Sequence, residues 1–262
     1  MSGVERLHAG HLYKSKIVNG KECRYVHAPQ AQDLFDSVRS KATDKGMQLN
    51  PEKTTLLCLS AANSYCVKTY IDLDNDVIIS GDKCRLLGFH FDSRPGVGAH
   101  VEVILKKVRY RTWIIHNLKR LGLAPYCLVN VYVALVRPCF DFACVVYHSM
   151  LSGTQSDALE RMQRKILKII YGYDESYSRC LSRAGIDYLS VRRSNLSERF
   201  ALKTARNPNF SHWFPKNPPS PYMLRKSNVY HEYNTRTERL RSAPIYMYRR
   251  LLSAQESREE LE

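Results

Sequence analysis

The chain has 262 residues, 44% of them hydrophobic, which is enough to bury a substantial core and predicts one large domain or two small ones rather than disorder. Its 40 Lys and Arg against 25 Asp and Glu give a net charge of +15, spread along the chain rather than gathered in a tail, which points to a polyanionic partner, nucleic acid first. Eight cysteines without a Cys-x-x-Cys pair, no apolar segment after Met1 and no run of about eighteen apolar residues argue against secretion and a membrane span. They predict an intracellular chain, nuclear or cytoplasmic, with reduced thiols acting as small core residues.

In chain order, Asn19-Gly20 is a turn signal between the short segments Leu12 to Val18 and Cys23 to His27. Ala31, Leu34, Phe35, Val38 and Ala42 then fall at helical spacing, after Pro29 and before the stop residue Gly46. Thr54 to Ser60 is predicted to be a buried strand. A turn at Asp72 to Asp76 separates strands Val67 to Ile71 and Val77 to Ser80, and Arg85 to Phe91 forms another strand.

The pattern changes after Ser93-Arg94-Pro95-Gly96-Val97-Gly98. Val101, Ile104, Leu105, Val108, Ile115 and Leu118 line one face of a long helix, and Lys106, Lys107, Arg109 and Arg111 are assigned to the opposite face. Pro125 opens a second, largely apolar helix through Leu135, expected to be buried on most sides. A third, about Gln155 to Tyr171, turns Leu159, Met162, Ile166 and Ile169 inward, and a fourth covers about Ser190 to Ala205. Asn207 to Pro221, rich in Pro and Asn, is expected to be irregular.

Several motifs occur in a fixed order. Gly46-Met47-Gln48-Leu49-Asn50-Pro51-Glu52-Lys53-Thr54 is followed by Leu86-Leu87-Gly88-Phe89, by the helix ending Asn117-Leu118-Lys119, and by Arg137 to Tyr147 with Phe142 and Tyr147 at aromatic positions. Leu159-Glu160-Arg161-Met162-Gln163-Arg164-Lys165, Leu189-Ser190-Val191-Arg192-Arg193 and Arg239-Leu240-Arg241-Ser242-Ala243-Pro244 come next. This series, from about His27 to Leu252, resembles the carboxy-terminal part of the reverse transcriptases of non-LTR, LINE-type retrotransposons. The resemblance implies an α+β fold: a partial polymerase palm at 1–92, a mainly helical thumb at 93–205 and an irregular basic extension at 206–262.

In that family a Phe/Tyr-x-Asp-Asp turn and an upstream Asp hold two Mg²⁺ ions about 3.5 to 4 Å apart for in-line phosphoryl transfer. No Asp-Asp pair occurs in this sequence, and family order places that turn before residue 1. The resemblance therefore implies an RNA-directed DNA polymerase fragment with no catalytic residue and no cofactor of its own. A rival expectation is a domesticated, non-catalytic nucleic-acid-binding module, and a third is a decaying reading frame.

By resemblance Lys53 lies near the incoming nucleotide of an intact enzyme, where a cation neutralises the leaving pyrophosphate. The expected partner is an RNA/DNA hybrid or DNA duplex, gripped through its phosphates by Lys106, Lys107, Arg109, Arg111, Lys119 and Arg120, since phosphate recognition needs cations and no base-edge geometry. Arg161, Arg164, Lys165 and Lys168 form a second candidate patch, and Arg192 and Arg193 a third. Glu160 and Arg164 stand four apart as a local ion pair.

Two metal readings are weaker than their alternatives. Asp72, Asp74 and Asp76 alternate as in a calcium loop, but Val77 and Lys83 occupy the positions that need Gly and Glu, so a hairpin turn is expected. His8, His11, Cys23 and His27 fit no zinc-finger spacing and are expected as loop residues.

Overall fold

The computed structural model describes residues 5–8, 11–18, 21–59, 69–73, 76–93, 96–217, 229–231, 235 and 237–259, with side chains from His27 to Gln255 apart from residue 239. Met1–Ala99 and His100–Glu262 form two compact units.

The first unit is α+β. Strands β1 (Glu5–His8), β2 (His11–Val18) and β3 (Lys21–His27) run antiparallel, with Val18 paired to Lys21 across the expected two-residue connection at positions 19–20, which lie outside the described residues. His8, His11, Cys23 and His27 therefore belong to strands rather than loops. Helix α1 (Pro29–Thr43) then leads to β4 (Thr69–Leu73), which lies parallel to β3, and β5 (Asp76–Ile79) completes a five-stranded mixed sheet. The β4/β5 hairpin agrees with the turn expected between Asp72 and Asp76.

Beyond the end of β3, Gln32 on α1 takes over the pairing of β4: its Nε2 donates to the carbonyl of Asp72 at 3.0 Å, and its Oε1 accepts the Asp72 N–H at 2.7 Å. A side-chain amide thus satisfies a strand residue that would otherwise present two unpaired backbone groups. Ala31 and Phe35 of α1 pack on Ile71, Leu73 and Ile78 of the sheet. Leu34 and Val38, assigned to the same apolar face, remain 69% and 50% exposed, so the helix is as expected but only part of its face is used.

Two further expectations in this unit are corrected. Residues 54–59 form no strand: Asn50 caps a 3₁₀ turn at Pro51–Lys53 by accepting the Glu52 N–H at 2.8 Å, and only Leu57 bridges, to Gly81. The predicted strand at 85–91 is a hairpin, β6 (Lys83–Leu86) with β7 (Phe89–Asp92), and the Leu87-Gly88 of the quoted motif is its two-residue turn. Both turn residues have positive φ, 49° and 86°, as a type I′ turn requires.

The second unit is helical. It contains α2 (Gly98–Arg120), α3 (Pro125–Val131), a π-helical turn (Tyr132–Val136), α4 (Arg137–Asp141), α5 (Cys144–Tyr147) and α6 (Gly153–Tyr171). These are followed by α7 (Tyr177–Ala184), α8 (Leu189–Ala205), a 3₁₀ turn (Pro208–Trp213), α9 (Glu238–Arg241) and α10 (Pro244–Glu259). Pro138 lacks the N–H that an α-helix would use, and the chain just before it widens so that Arg137 donates to the carbonyl of Tyr132.

The second predicted helix is not buried on most sides. Leu128, Tyr132, Val136 and Phe140 form its buried stripe, while Tyr126 is 71% exposed. The extension after residue 206 is not irregular throughout, because α10 packs Tyr248 and Leu252 against Ala201, Phe214 and Tyr230. Cys139, Cys144 and Cys180 are buried free thiols, in keeping with their expected core role, and burial pushes the Cys144 thiol up to about 11. No single helix among the described residues is long and apolar enough to cross a membrane.

Candidate nucleic-acid interface

Helix α2 buries Val101, Ile104, Val108 and Ile115, as its spacing predicts, with Thr112 on the same side. The six cations assigned to binding divide into two groups. Lys106, Lys107, Arg109 and Arg120 are exposed, and among the described residues none of them enters an ion pair or hydrogen bond. Arg111 and Lys119 are turned onto the chain itself. Arg111 donates to the carbonyl of Leu135 and to the sulfur of Cys139. Lys119 donates to the carbonyls of Ile169 and, at 3.2 Å, Ile170, so that a cation closes the carboxy-terminal end of α6.

Arg111 is half-buried and Lys119 is exposed, and both have partners inside the unit, unlike the other four cations. Arg111 stands three after Val108 and four before Ile115, and Lys119 four after Ile115, which places both near the buried stripe of a 3.6-residue helix. That signal is present in the spacing.

The outward stripe also carries two aromatic residues that the charge pattern alone does not reveal. Tyr110 and Trp113 are 66% and 61% exposed, and their rings lie 6.3 Å apart with planes inclined by 23°. Lys106 precedes Tyr110 by one turn, Arg109 precedes Trp113 by one turn, and Arg120 follows two turns later. Within α2 itself the one acid is the exposed Glu102.

On α6, Arg161, Arg164 and Lys165 are exposed, the Arg164 guanidinium also lying over the Tyr177 ring, 4.9 Å from its centroid, and Lys168 donates to the carbonyl of Tyr173 at 3.2 Å. The expected Glu160–Arg164 pair is not formed. Glu160 instead accepts the N–H of Leu189 at 3.1 Å and the O–H of Tyr177, capping α8, whose own N-cap residue Tyr188 makes no side-chain cap bond. The neighbouring Gln163 is buried: it accepts from the Tyr132 hydroxyl and donates to Tyr177 Oη and to the Asp187 carbonyl, both at 3.0 Å.

Arg192 and Arg193 are also committed inside the helical unit. Arg192 grips Asp141 through Nε at 2.8 Å and Nη2 at 2.7 Å, and this hydrogen bonding holds the guanidinium above its ordinary pKa. Arg193 is 1% exposed and donates to Ser156 Oγ at 2.9 Å, and burial lowers its pKa. Arg193 is thus enclosed, while Arg192 stays half-exposed beside Asp141.

Lys53, in the first unit, is exposed on the 3₁₀ turn that Asn50 caps. Among the described residues no three His, Cys, Asp or Glu side chains are grouped to hold a metal ion. The sequence offers no Asp-Asp pair for the Mg²⁺ that the resemblance implies in an intact enzyme. No family model, no curated protein and no solved structure matches this chain.

Proposed function

We propose that the chain is a nucleic-acid-binding protein related to the thumb region of non-LTR reverse transcriptases, and that it holds its ligand through phosphates on the outward side of α2. The observation that carries this reading is the division of the cations on that helix. Lys106, Lys107, Arg109 and Arg120 stay outside, without internal partners among the described residues, while Arg111 and Lys119 are spent on carbonyls of the same unit. Exposed cations on a chain of net charge +15 suit a polyanion, and phosphate binding is indifferent to base sequence. Arg161 and Lys165 supply a second, smaller exposed patch.

The test is salt-dependent binding of an RNA/DNA hybrid and a DNA duplex by the whole chain. Each phosphate contact on duplex adds about −0.9 to the slope of log affinity against log salt, so replacing Lys106, Lys107, Arg109 and Arg120 by Ala flattens the slope by about three to four units. A quadruple variant with an unaltered slope removes α2 from the interface. A wild-type chain that binds no nucleic acid ends the reading.

A further inference from the structure

We propose that Tyr110 and Trp113 form a platform on which a single-stranded segment of nucleic acid stacks its bases, its phosphates lying on the flanking cations. This rests on the nucleic-acid reading of α2 and names the ligand class that its outward face selects.

The fold gives these two rings no internal task. The core side of α2 is complete without them, in Val101, Ile104, Val108 and Ile115. Elsewhere in the same unit Tyr132, Tyr147 and Tyr248 are buried and their hydroxyls donate to Gln163, to the Phe140 carbonyl and to the Val145 carbonyl, whereas Tyr126 and Tyr173 are exposed away from this helix's cations in sequence. Tyr110 and Trp113 are 66% and 61% exposed on consecutive turns of one helix, beside cations that have no internal partner among the described residues. Their planes are within 23° of parallel, so two successive bases laid on them keep the near-parallel arrangement that a stacked strand prefers.

The surroundings select a polyanion over a neutral apolar partner. Lys106 and Arg109 stand one turn before Tyr110 and Trp113, Lys107 flanks them, and Arg120 lies two turns beyond Trp113. Aromatic side chains interleaved with cations along one track match the demands of a single strand, whose bases expose their π faces while its backbone carries the charge. In a duplex those faces are covered by neighbouring base pairs, so the rings contribute nothing to binding along its length. The platform reads no base edge and tolerates any sequence.

The test uses the whole chain carrying Trp213→Phe. With two tryptophans in the sequence, this leaves Trp113 as the sole indole reporter. The probes are an oligothymidylate of about fifteen nucleotides, within the range of single-strand sites, and a blunt duplex of the same length. Trp113 emission is expected to fall on adding the single strand and to stay nearly constant on adding the duplex. Tyr110→Ala with Trp113→Ala, made in the wild-type chain and followed by fluorescence anisotropy of labelled probes, weakens the single strand about tenfold or more. It leaves duplex affinity and the salt slope unchanged. Tyr110→Phe with Trp113→Phe retains most of the single-strand affinity, which separates stacking from an effect on the helix.

Equal affinity of the alanine pair and the wild type for the single strand overturns the platform while leaving phosphate binding by α2 intact. Quenching of Trp113 by a polyglutamate peptide to the same extent as by the oligonucleotide also overturns it, in favour of an acidic protein partner. If neither nucleic acid binds the wild-type chain, both the platform and the reading beneath it fall.

Discussion

The carboxylate of Glu160 accepts the backbone N–H of Leu189 at 3.1 Å, joining the middle of one helix to the first turn of another across 29 residues of sequence. It also accepts the Tyr177 hydroxyl, so one side chain from α6 fixes both α7 and α8. Burial, with that bond second, holds the Tyr177 phenol well above its ordinary pKa. Glu160→Ala strands an amide and a hydroxyl in a partly buried place, and a loss of about 2 kcal/mol is expected. For a unit of this size that lowers the unfolding midpoint by about 5 °C, measurable by thermal circular dichroism. Glu160→Gln, which keeps one acceptor, recovers part of the loss, and identical melting of both variants would refute the capping role.

Arg111 and Lys119 offer a contrast with the exposed cations of α2. Because their donors are used on carbonyls, Arg111→Ala and Lys119→Ala should each destabilise the chain by about 1 kcal/mol. Neither should change the salt slope of nucleic-acid binding. Denaturant titration and salt-dependent anisotropy on the same preparations separate the two effects, and a flattened slope would return these residues to the interface.

Leu87 is 93% exposed and holds φ at 49° in the two-residue turn between β6 and β7. A left-handed conformation strains a leucine, and no burial at this position compensates. Leu87→Asn creates the Asn-Gly pair that such turns favour and is expected to stabilise the first unit by about 0.5 to 1 kcal/mol. A lower unfolding midpoint for the variant would contradict the turn geometry.

The thiol of Cys144 is raised from 9.0 to about 11, burial being the largest cause and the charge of Asp141 the next. The folded chain therefore keeps this proton after the unfolded chain has lost it. The resulting stability is complete below pH 9 and is lost as pH rises from about 9 to 11. Urea midpoints measured across that range should fall, and Cys144→Ala should fall less steeply. Parallel curves for the two proteins would show that the thiol is not the group responsible.

With no Asp-Asp pair to share two metal ions, this chain alone is expected to extend no primer on an RNA or DNA template in the presence of Mg²⁺. Incorporation by a homogeneous preparation, lost on adding EDTA, would show that other carboxylates supply the metal site.

Much of the secondary structure was legible in local signals. Pro29 and Gly46 bracket α1, and the apolar spacing of α2 and α6 indicates the side each buries. The Ser152 capping box, which starts α6 at Gly153 rather than near Gln155, comes from the structure. Capping groups and periodic apolar residues act within a turn or two of themselves, so a sequence displays them directly. α7 has no counterpart among the expected helices, although Ser176 caps its start and Gly185, at φ 61°, ends it. Its eight residues are too few for a periodic pattern to stand out.

Residues 54–59 and 85–91 depart from the expected strands because an apolar run says that a segment is buried or extended, not where it pairs. Only the partner strand decides whether the chain continues or turns.

The sequence by itself determined the charge of the chain, the absence of an Asp-Asp pair and the apolar stripe of α2, although Arg111 was expected on the face opposite that stripe. The tertiary structure decided what those side chains do. A long cationic side chain at the edge of a buried stripe either reaches back to solvent or finds an acceptor. Lys119 finds the carbonyls of Ile169 and Ile170, left without helical partners at the end of α6 and brought beside it from fifty residues away. Tyr110 and Trp113 are left exposed on the side of the helix away from that stripe, although both are residue types that a core also takes.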